Sequence, residues 1–214
     1  MKRTFTTRKR TDKILEIASV IEFFDQLAPT WDAHEVRNES RLKRILDYAD
    51  IRAGVSVLDV ACGTGVLIPD YLERDVAHVT GVDVSPAMIA CAKAKFTSPR
   101  VTLLAADMEE TSFSVPFDRC VVYNAFPHFL SPERLIRHLS RQLVPGGRLT
   151  IAHGMSRAAI NRHHSGSASK VSVGLIPETE LADILQEWFA VDVVVSNEEI
   201  YVVSGVRAES SVVE

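Results

Sequence analysis

The chain has 214 residues, 46% of them hydrophobic and 24% charged, with a formal net charge of −4 at pH 7. This is enough for one globular domain with a sizeable core. The acidic balance gives no electrostatic ground for a nucleic-acid partner. No apolar run approaches the roughly 18–20 residues of a spanning helix.

The opening MKRTFTTRKR is basic and is followed by charged residues rather than by an apolar signal core, so residues 1–12 read as a solvated arm. Ile14, Ile17, Ala18, Ile21 and Phe24 recur at spacings of three and four, which predicts an amphipathic helix. Leu42, Ile45, Leu46 and Ala49 predict a second, so residues 13–50 are expected to be cap helices. Residues 51–207 form the expected catalytic domain, and 208–214 a tail. Cys62, Cys91 and Cys120 are odd in number and form no C-x-x-C pair, the pattern of free thiols in a reducing, cytoplasmic compartment.

From residue 55 strand and helix patterns alternate. Strands are predicted at 55–60, 77–82, 100–105, 119–123, 148–152, 191–196 and 200–204, with helices at 67–73, 86–95, 132–143 and 177–189. Pro86, Pro132 and Pro177 suit helix first turns, the first two behind Ser85 and Ser131. Such alternation implies right-handed βαβ units and a parallel sheet. The last two strands are separated only by residues 197–199, too few for a parallel crossover, so they must form an antiparallel hairpin. The expected fold is α/β, doubly wound and Rossmann-like, with a seven-stranded mostly parallel sheet and one antiparallel strand.

The first strand runs into Ala61-Cys62-Gly63-Thr64-Gly65, where two glycines let the backbone turn tightly and approach a ligand. The third glycine of a dinucleotide fingerprint would fall at Ile68, which turns the motif away from NAD. Asp59 instead gives D-x-x-x-G-x-G, and a carboxylate there suits a cationic sulfonium with a free amino group better than a pyrophosphate. Asp83 and Asp107 follow at intervals of 24 residues, each at a strand end. They are placed for ribose hydroxyls and for adenine.

These segments, VLDVACGTG, GVDVSPAMI, LLAADMEE, FDRCVVYNAFPHF and LVPGGRLTIAH, resemble a class I S-adenosylmethionine-dependent methyltransferase from about Phe23 to Val206. Residues 24–32 also resemble the start of the ubiquinone and menaquinone biosynthesis C-methyltransferases, with Trp31 where Tyr is usual. The resemblance implies that Asp59 and the backbone of Ala61, Cys62, Gly63 and Gly65 hold the methionine moiety. It implies Asp83 on the ribose, Val84 against the adenine with Met88 in the same cofactor set, and Asp107 with Met108 at the adenine amine. Asn124 would flank the methionine end. The implied activity is methyl transfer from S-adenosylmethionine to a small-molecule O, N, S or C nucleophile, leaving S-adenosylhomocysteine. A non-catalytic cofactor-binding regulatory module and an NAD-dependent oxidoreductase are the competing readings.

Asn124-Ala125-Phe126-Pro127-His128 is not the Asn/Asp-Pro-Pro-aromatic motif of base-modifying amino methyltransferases, and no acidic metal-ligand pattern of catechol-type enzymes is present. A partly apolar small-molecule acceptor is expected, walled by Phe24, Trp31 and Phe126, with no nucleic-acid partner and the chain a monomer or homodimer. His128, His153, His163 and His164 are the candidates for a base or an acceptor-orienting group. The spacing of the last three matches no metal site, and no metal is expected. His78 and His138 read as structural or exposed, and Tyr123 as core.

Overall fold

A computed structural model describes residues 17–34, 36–163 and 167–208. The predicted arm at 1–12, the first residues of the predicted first helix, His164 and all of the tail but Ala208 lie outside the described residues.

The β-branched runs form β1 (Ser56–Val60), β2 (His78–Asp83), β3 (Val101–Ala105), β4 (Phe117–Tyr123), β5 (Leu143–His153), β6 (Phe189–Ser196) and β7 (Tyr201–Arg207). They make one sheet in the order β3-β2-β1-β4-β5-β7-β6. Neighbours from β3 through β5 are parallel, while β7 runs antiparallel to both β5 and β6. The short connection after β6 therefore reverses a single strand, as its length requires.

The helices are α1 (Ile17–Leu27), α2 (Trp31–His34), α3 (Glu39–Tyr48), α4 (Ile68–Glu73), α5 (Pro86–Lys95), α6 (Pro132–Arg141), α7 (Arg157–His163) and α8 (Glu178–Leu185). Side chains alternate across each strand, so each face of the sheet has its own core. Val57, Val79 and Val121 pack with Leu42, Leu67, Tyr71 and Ile89 from α3, the loop before α4, α4 and α5. Leu58, Val82 and Val122 pack on the other face with Leu135, Ile160 and Leu181 from α6, α7 and α8.

Several boundaries differ from the sequence reading. β5 begins at Leu143 because that residue pairs with Phe117 ahead of a register shift, carrying the strand through Pro145-Gly146-Gly147. α8 stops at Leu185, and Phe189 opens β6 as a buried residue instead of closing the helix. α7 falls where no periodicity was visible. The signal lay in Ser156, whose hydroxyl and carbonyl accept from Ala159 N and Ile160 N, a Ser N-cap ahead of helix-favouring alanines.

Candidate cofactor and active site

β1 and β4 are sheet neighbours, but the chain leaves β1 toward β2 and returns on the other side at β4. The carboxyl ends of these two strands therefore border the crevice where open α/β sheets bind ligands. Two of the four described non-glycine residues with left-handed backbone lie there, the others being Asp50 and Asp75. Ala61 after β1 and Asn124 after β4 are non-glycine residues held at φ 54° and 55°, conformations that cost of order 1–3 kcal/mol each and cluster at functional sites. Gly65, at φ +89°, has no room for a side chain: a Cβ would lie 2.7 Å from Ile68 Cδ1 and from Phe96 Cε2. Gly63 is the opposite case, since a Cβ there would meet nothing within 4 Å. The loop thus packs tightly below and presents bare backbone above.

Asp83 ties the loop to β2. Its carboxylate accepts from Gly63 N at 2.8 Å and from Ser85 N at 2.9 Å. Burial raises its pKa even though both amides favour the charged form. Asp59 lies on the α4 face of β1 and is 2% exposed. Burial, then the nearby charge of Asp83, pushes its pKa up to about 8. The Tyr71 hydroxyl offsets part of this without closing a hydrogen bond of normal geometry. Asp107 Oδ1 accepts from Glu109 N at 2.8 Å, Met108 and Met88 are buried, and Val84 is half-buried.

This donor set fits S-adenosylmethionine. Asp83 and Asp107 stand at or just after the ends of adjacent strands with oxygens that can accept further hydrogen bonds, the glycine backbone is open, and the buried Asp59 lies behind them at the end of β1. The residues that would hold the cofactor are thus brought to one edge. Asp59 sits one layer lower than the motif suggests, beneath the loop.

The raised Asp59 pKa has a consequence for stability. The folded chain keeps a proton that the unfolded chain releases above the ordinary value of 3.8. Asp59 therefore favours folding least at high pH: its contribution is full below about pH 4 and is lost as pH rises toward about 8. Thermal melts across that window should fall more steeply with pH for the wild type than for Asp59→Asn. Parallel slopes would mean that Asp59 is ionised in the fold.

The segment ahead of the sheet reaches over this edge through two aspartates that the motif reading missed. Asp25 Oδ1 accepts from Ser85 Oγ at 2.5 Å and from Ala87 N at 3.1 Å, capping α5 from outside. Asp32 accepts from the buried Thr64 hydroxyl of the glycine loop at 2.5 Å and from Lys95 Nζ at 2.6 Å. Burial opposes ionisation of Asp32, but the Lys95 and Thr64 bonds outweigh it and leave its pKa lowered. Exposed pairs of this kind contribute about 0–1 kcal/mol. Asp32→Ala also leaves the buried Thr64 hydroxyl without its acceptor, so it is expected to raise amide exchange in residues 17–34 and to lower the melting temperature by about 2–10 °C. Unchanged exchange would show that the clasp is idle.

Aromatic groups continue the cover. The Phe24 ring meets Trp31 at 5.9 Å and the His128 ring at 5.0 Å, both edge to face. His128 ends a single 3₁₀ turn of residues 126–128, and its Nδ1 lies 2.7 Å from the Val171 carbonyl. A carbonyl partner requires the proton on Nδ1, so Nε2 is the basic nitrogen. Burial lowers the His128 pKa below the ordinary 6.5, offset in part by Val171. Phe126 is buried at the start of the same turn.

The other histidines are placed differently. His153 is 0% exposed and packs 6.0 Å from the Tyr201 ring on β7, inside the core shared with α6 and α8. His163 closes α7, and its side chain lies outside what is described. His78 bonds Thr102 Oγ1 and His138 bonds the Thr111 carbonyl, both structural contacts. Asn124 spends its side-chain oxygen on Gly154 N at 3.0 Å, and Arg41 from α3 donates to the Gly154 carbonyl at 3.2 Å. No sequence signal marked Arg41 or Gly154, because the pairing joins residues 113 positions apart. Among the described residues no three His, Cys, Asp or Glu side chains gather as a metal site. No described helix is long and apolar enough to cross a membrane.

Comparison with known proteins finds similarity to methyltransferases in sequence and in fold. A methyltransferase domain family matches residues 57–147. The malonyl-[acyl-carrier protein] O-methyltransferase of Priestia megaterium is 30% identical over 156 residues, 71% of this chain and 57% of the relative. The demethylmenaquinone methyltransferase of Thermus thermophilus is 36% identical over 113 residues, 51% of each chain. The chain thus spans about half the length of the curated relatives it matches. Among solved structures, the putative methyltransferase complexed with the Trm112 activator of Haloferax volcanii aligns with a TM-score of 0.73, covering 87% of this chain and 98% of that one. The N-methyltransferase NodS of Bradyrhizobium japonicum, in complex with S-adenosylhomocysteine, aligns at 0.70 over 90% and 99%. Both are 17% identical and speak for the fold alone. The sheet order with its one reversed strand, the glycine loop after β1 and the methyltransferase domain matched over residues 57–147 together make this chain similar to the class I S-adenosylmethionine-dependent methyltransferases.

Proposed function

We propose that this chain transfers a methyl group from S-adenosylmethionine to a small-molecule nucleophile. The observation that carries the proposal is the glycine loop, held by Asp83 through Gly63 N with its upper side bare, at the carboxyl edge beside β4. When bound, the cofactor supplies a methyl group on a positively charged sulfur. The backbone of residues 61–65 would seat its methionine end, Asp83 its ribose, and Asp107 with Met108 its adenine.

The chain's own work is then alignment and exclusion of water. Phe24, Trp31 and Phe126 form the apolar side of the acceptor space. The acceptor is proposed to be small and partly apolar, met by a monomer or homodimer in the cytoplasm. His128 is assigned as the base, its ring oriented by Val171 and kept neutral by burial. Nε2 takes the proton of an acceptor O–H, N–H or activated C–H.

Calorimetry with S-adenosylhomocysteine and with NAD(H), followed by labelled-methyl transfer to an acceptor panel, tests the proposal. Tighter binding of NAD(H) would overturn it, and stoichiometric cofactor binding without transfer to any acceptor would favour a regulatory module. With a turned-over acceptor, His128→Gln should lower kcat by about 10²–10⁴ and leave S-adenosylhomocysteine affinity unchanged. The acid limb of kcat should fall below pH 6.5, the ordinary histidine value. A limb at or above that value would assign the proton to another group.

A further inference from the structure

Tyr71 is fully buried on α4, and its hydroxyl has no hydrogen-bond partner among the described residues. The ring belongs to the core that α3, α4 and α5 build on the sheet, a task phenylalanine performs equally well. An unsatisfied buried hydroxyl costs about 1–3 kcal/mol, so its presence calls for an explanation. The hydroxyl is turned toward Asp59. Asp59 occupies the same sheet face, since it alternates with Val57 and pairs in register with Gly81 and Val121.

Gly81 shows how tightly this spot is built: a Cβ there would lie 2.8 Å from Leu103 Cδ2 and 2.9 Å from Cys62 Sγ. The titratable groups acting on the pair are Asp83 from β2, Cys62 from the loop and Asp70 from α4, with Cys120 of β4 acting from the opposite face of the sheet and Asp25 of α1 acting on Asp83. None of these is a cation. In the free protein nothing in this group favours a charged Asp59 except the tyrosine.

Building on the function proposed above, we infer that Tyr71 is a positioning residue for the cofactor: its hydroxyl donates to the Asp59 carboxylate when the α-ammonium group of the ligand, common to S-adenosylmethionine and S-adenosylhomocysteine, seats on the loop overhead. Binding then includes a balanced proton step. Asp59 loses its carboxyl proton to the buffer, the ligand's positive charge replaces it, and the Tyr71 O–H keeps its own proton while donating to the new carboxylate. Tyr71 touches neither ligand nor reacting atoms. It acts through Asp59.

Calorimetric titration of S-adenosylhomocysteine into the full chain, in buffers of different ionisation enthalpy between about pH 6 and pH 9, reads both affinity and protons released. The wild type is expected to release up to one proton at the acid end and to bind more tightly as pH rises. Tyr71→Phe should bind about tenfold more weakly near neutral pH, as expected for one lost hydrogen bond to a charged group. Its proton release should move to higher pH, and its ligand-free melting temperature should stay level or rise. Asp59→Asn should release no proton and show no pH dependence of affinity.

Tyr71→Phe curves that superimpose on wild type, or that weaken equally at every pH, overturn the role of the tyrosine. Wild-type proton release by Asp59→Asn overturns it as well. A wild type that fails to bind S-adenosylhomocysteine at all overturns instead the function on which the inference rests.

Discussion

Asp83→Ala is expected to lower affinity for S-adenosylhomocysteine about 10–100-fold and to destabilise the ligand-free chain by about 2–3 kcal/mol. Both effects have one cause. The carboxylate accepts from Gly63 N and Ser85 N, and hydrogen bonds to charged groups contribute about 1.5–3 kcal/mol each. Removing it strands two amides at the turn that shapes the loop. Because burial disfavours the charged form of Asp83, part of that loss is recovered, which keeps the net destabilisation below the sum of two such bonds. In a domain of this size the change corresponds to about 5–10 °C in melting temperature. Asp83→Asn, which retains one acceptor oxygen, should fall between wild type and alanine in both measurements. A fully stable Asp83→Ala chain with wild-type affinity would sink the placement of the cofactor on this edge.

The second large effect separates the two glycines of the loop. Gly65→Ala introduces a Cβ 2.7 Å from Ile68 Cδ1 and Phe96 Cε2 at a backbone φ of +89°. Left-handed backbone costs an L-residue about 1–2 kcal/mol, and overpacking adds about 1–3 kcal/mol. The ends of Ile68 and Phe96 can give way in part, so a loss of about 2–4 kcal/mol is expected, read by denaturant unfolding of the ligand-free chain. Gly63→Ala meets open space and should cost only the backbone strain, about 1 kcal/mol. Its methyl group, however, projects where the ligand must approach, so its main effect should be on S-adenosylhomocysteine binding. Equal stability losses in the two variants, with equal affinities, would contradict a loop packed below and bare above.

The alternation of apolar runs with capped helices was enough to place seven strands. The three residues between the last two of them forced a hairpin, because no parallel crossover fits in that length. Asp59, Gly63, Gly65, Asp83 and Asp107 were legible as residues of one sheet edge, since one βα repeat brings each strand end back to the same side of the sheet. These features are local in sequence, or repeat with the period of the fold, and a linear reading can find them.

What the linear reading missed depends on distance across the chain. Asp32 reaches Thr64 and Lys95, Asp25 reaches Ser85, and Arg41 reaches Gly154. None of these pairs has a spacing that a pattern would reveal. His128 and His153 are both histidines near the ends of neighbouring strands, yet one leans on Phe24 and Val171 while the other is packed against Tyr201 within the core. Strand alternation and helix packing, not residue type, separated them. Sequence by itself determined the sheet, its one reversed strand and the edge at which the cofactor is proposed to bind, because those follow from periodicity and loop length. The tertiary structure alone decided which groups stand beneath and above that edge, because burial and charge act between residues that only folding brings together.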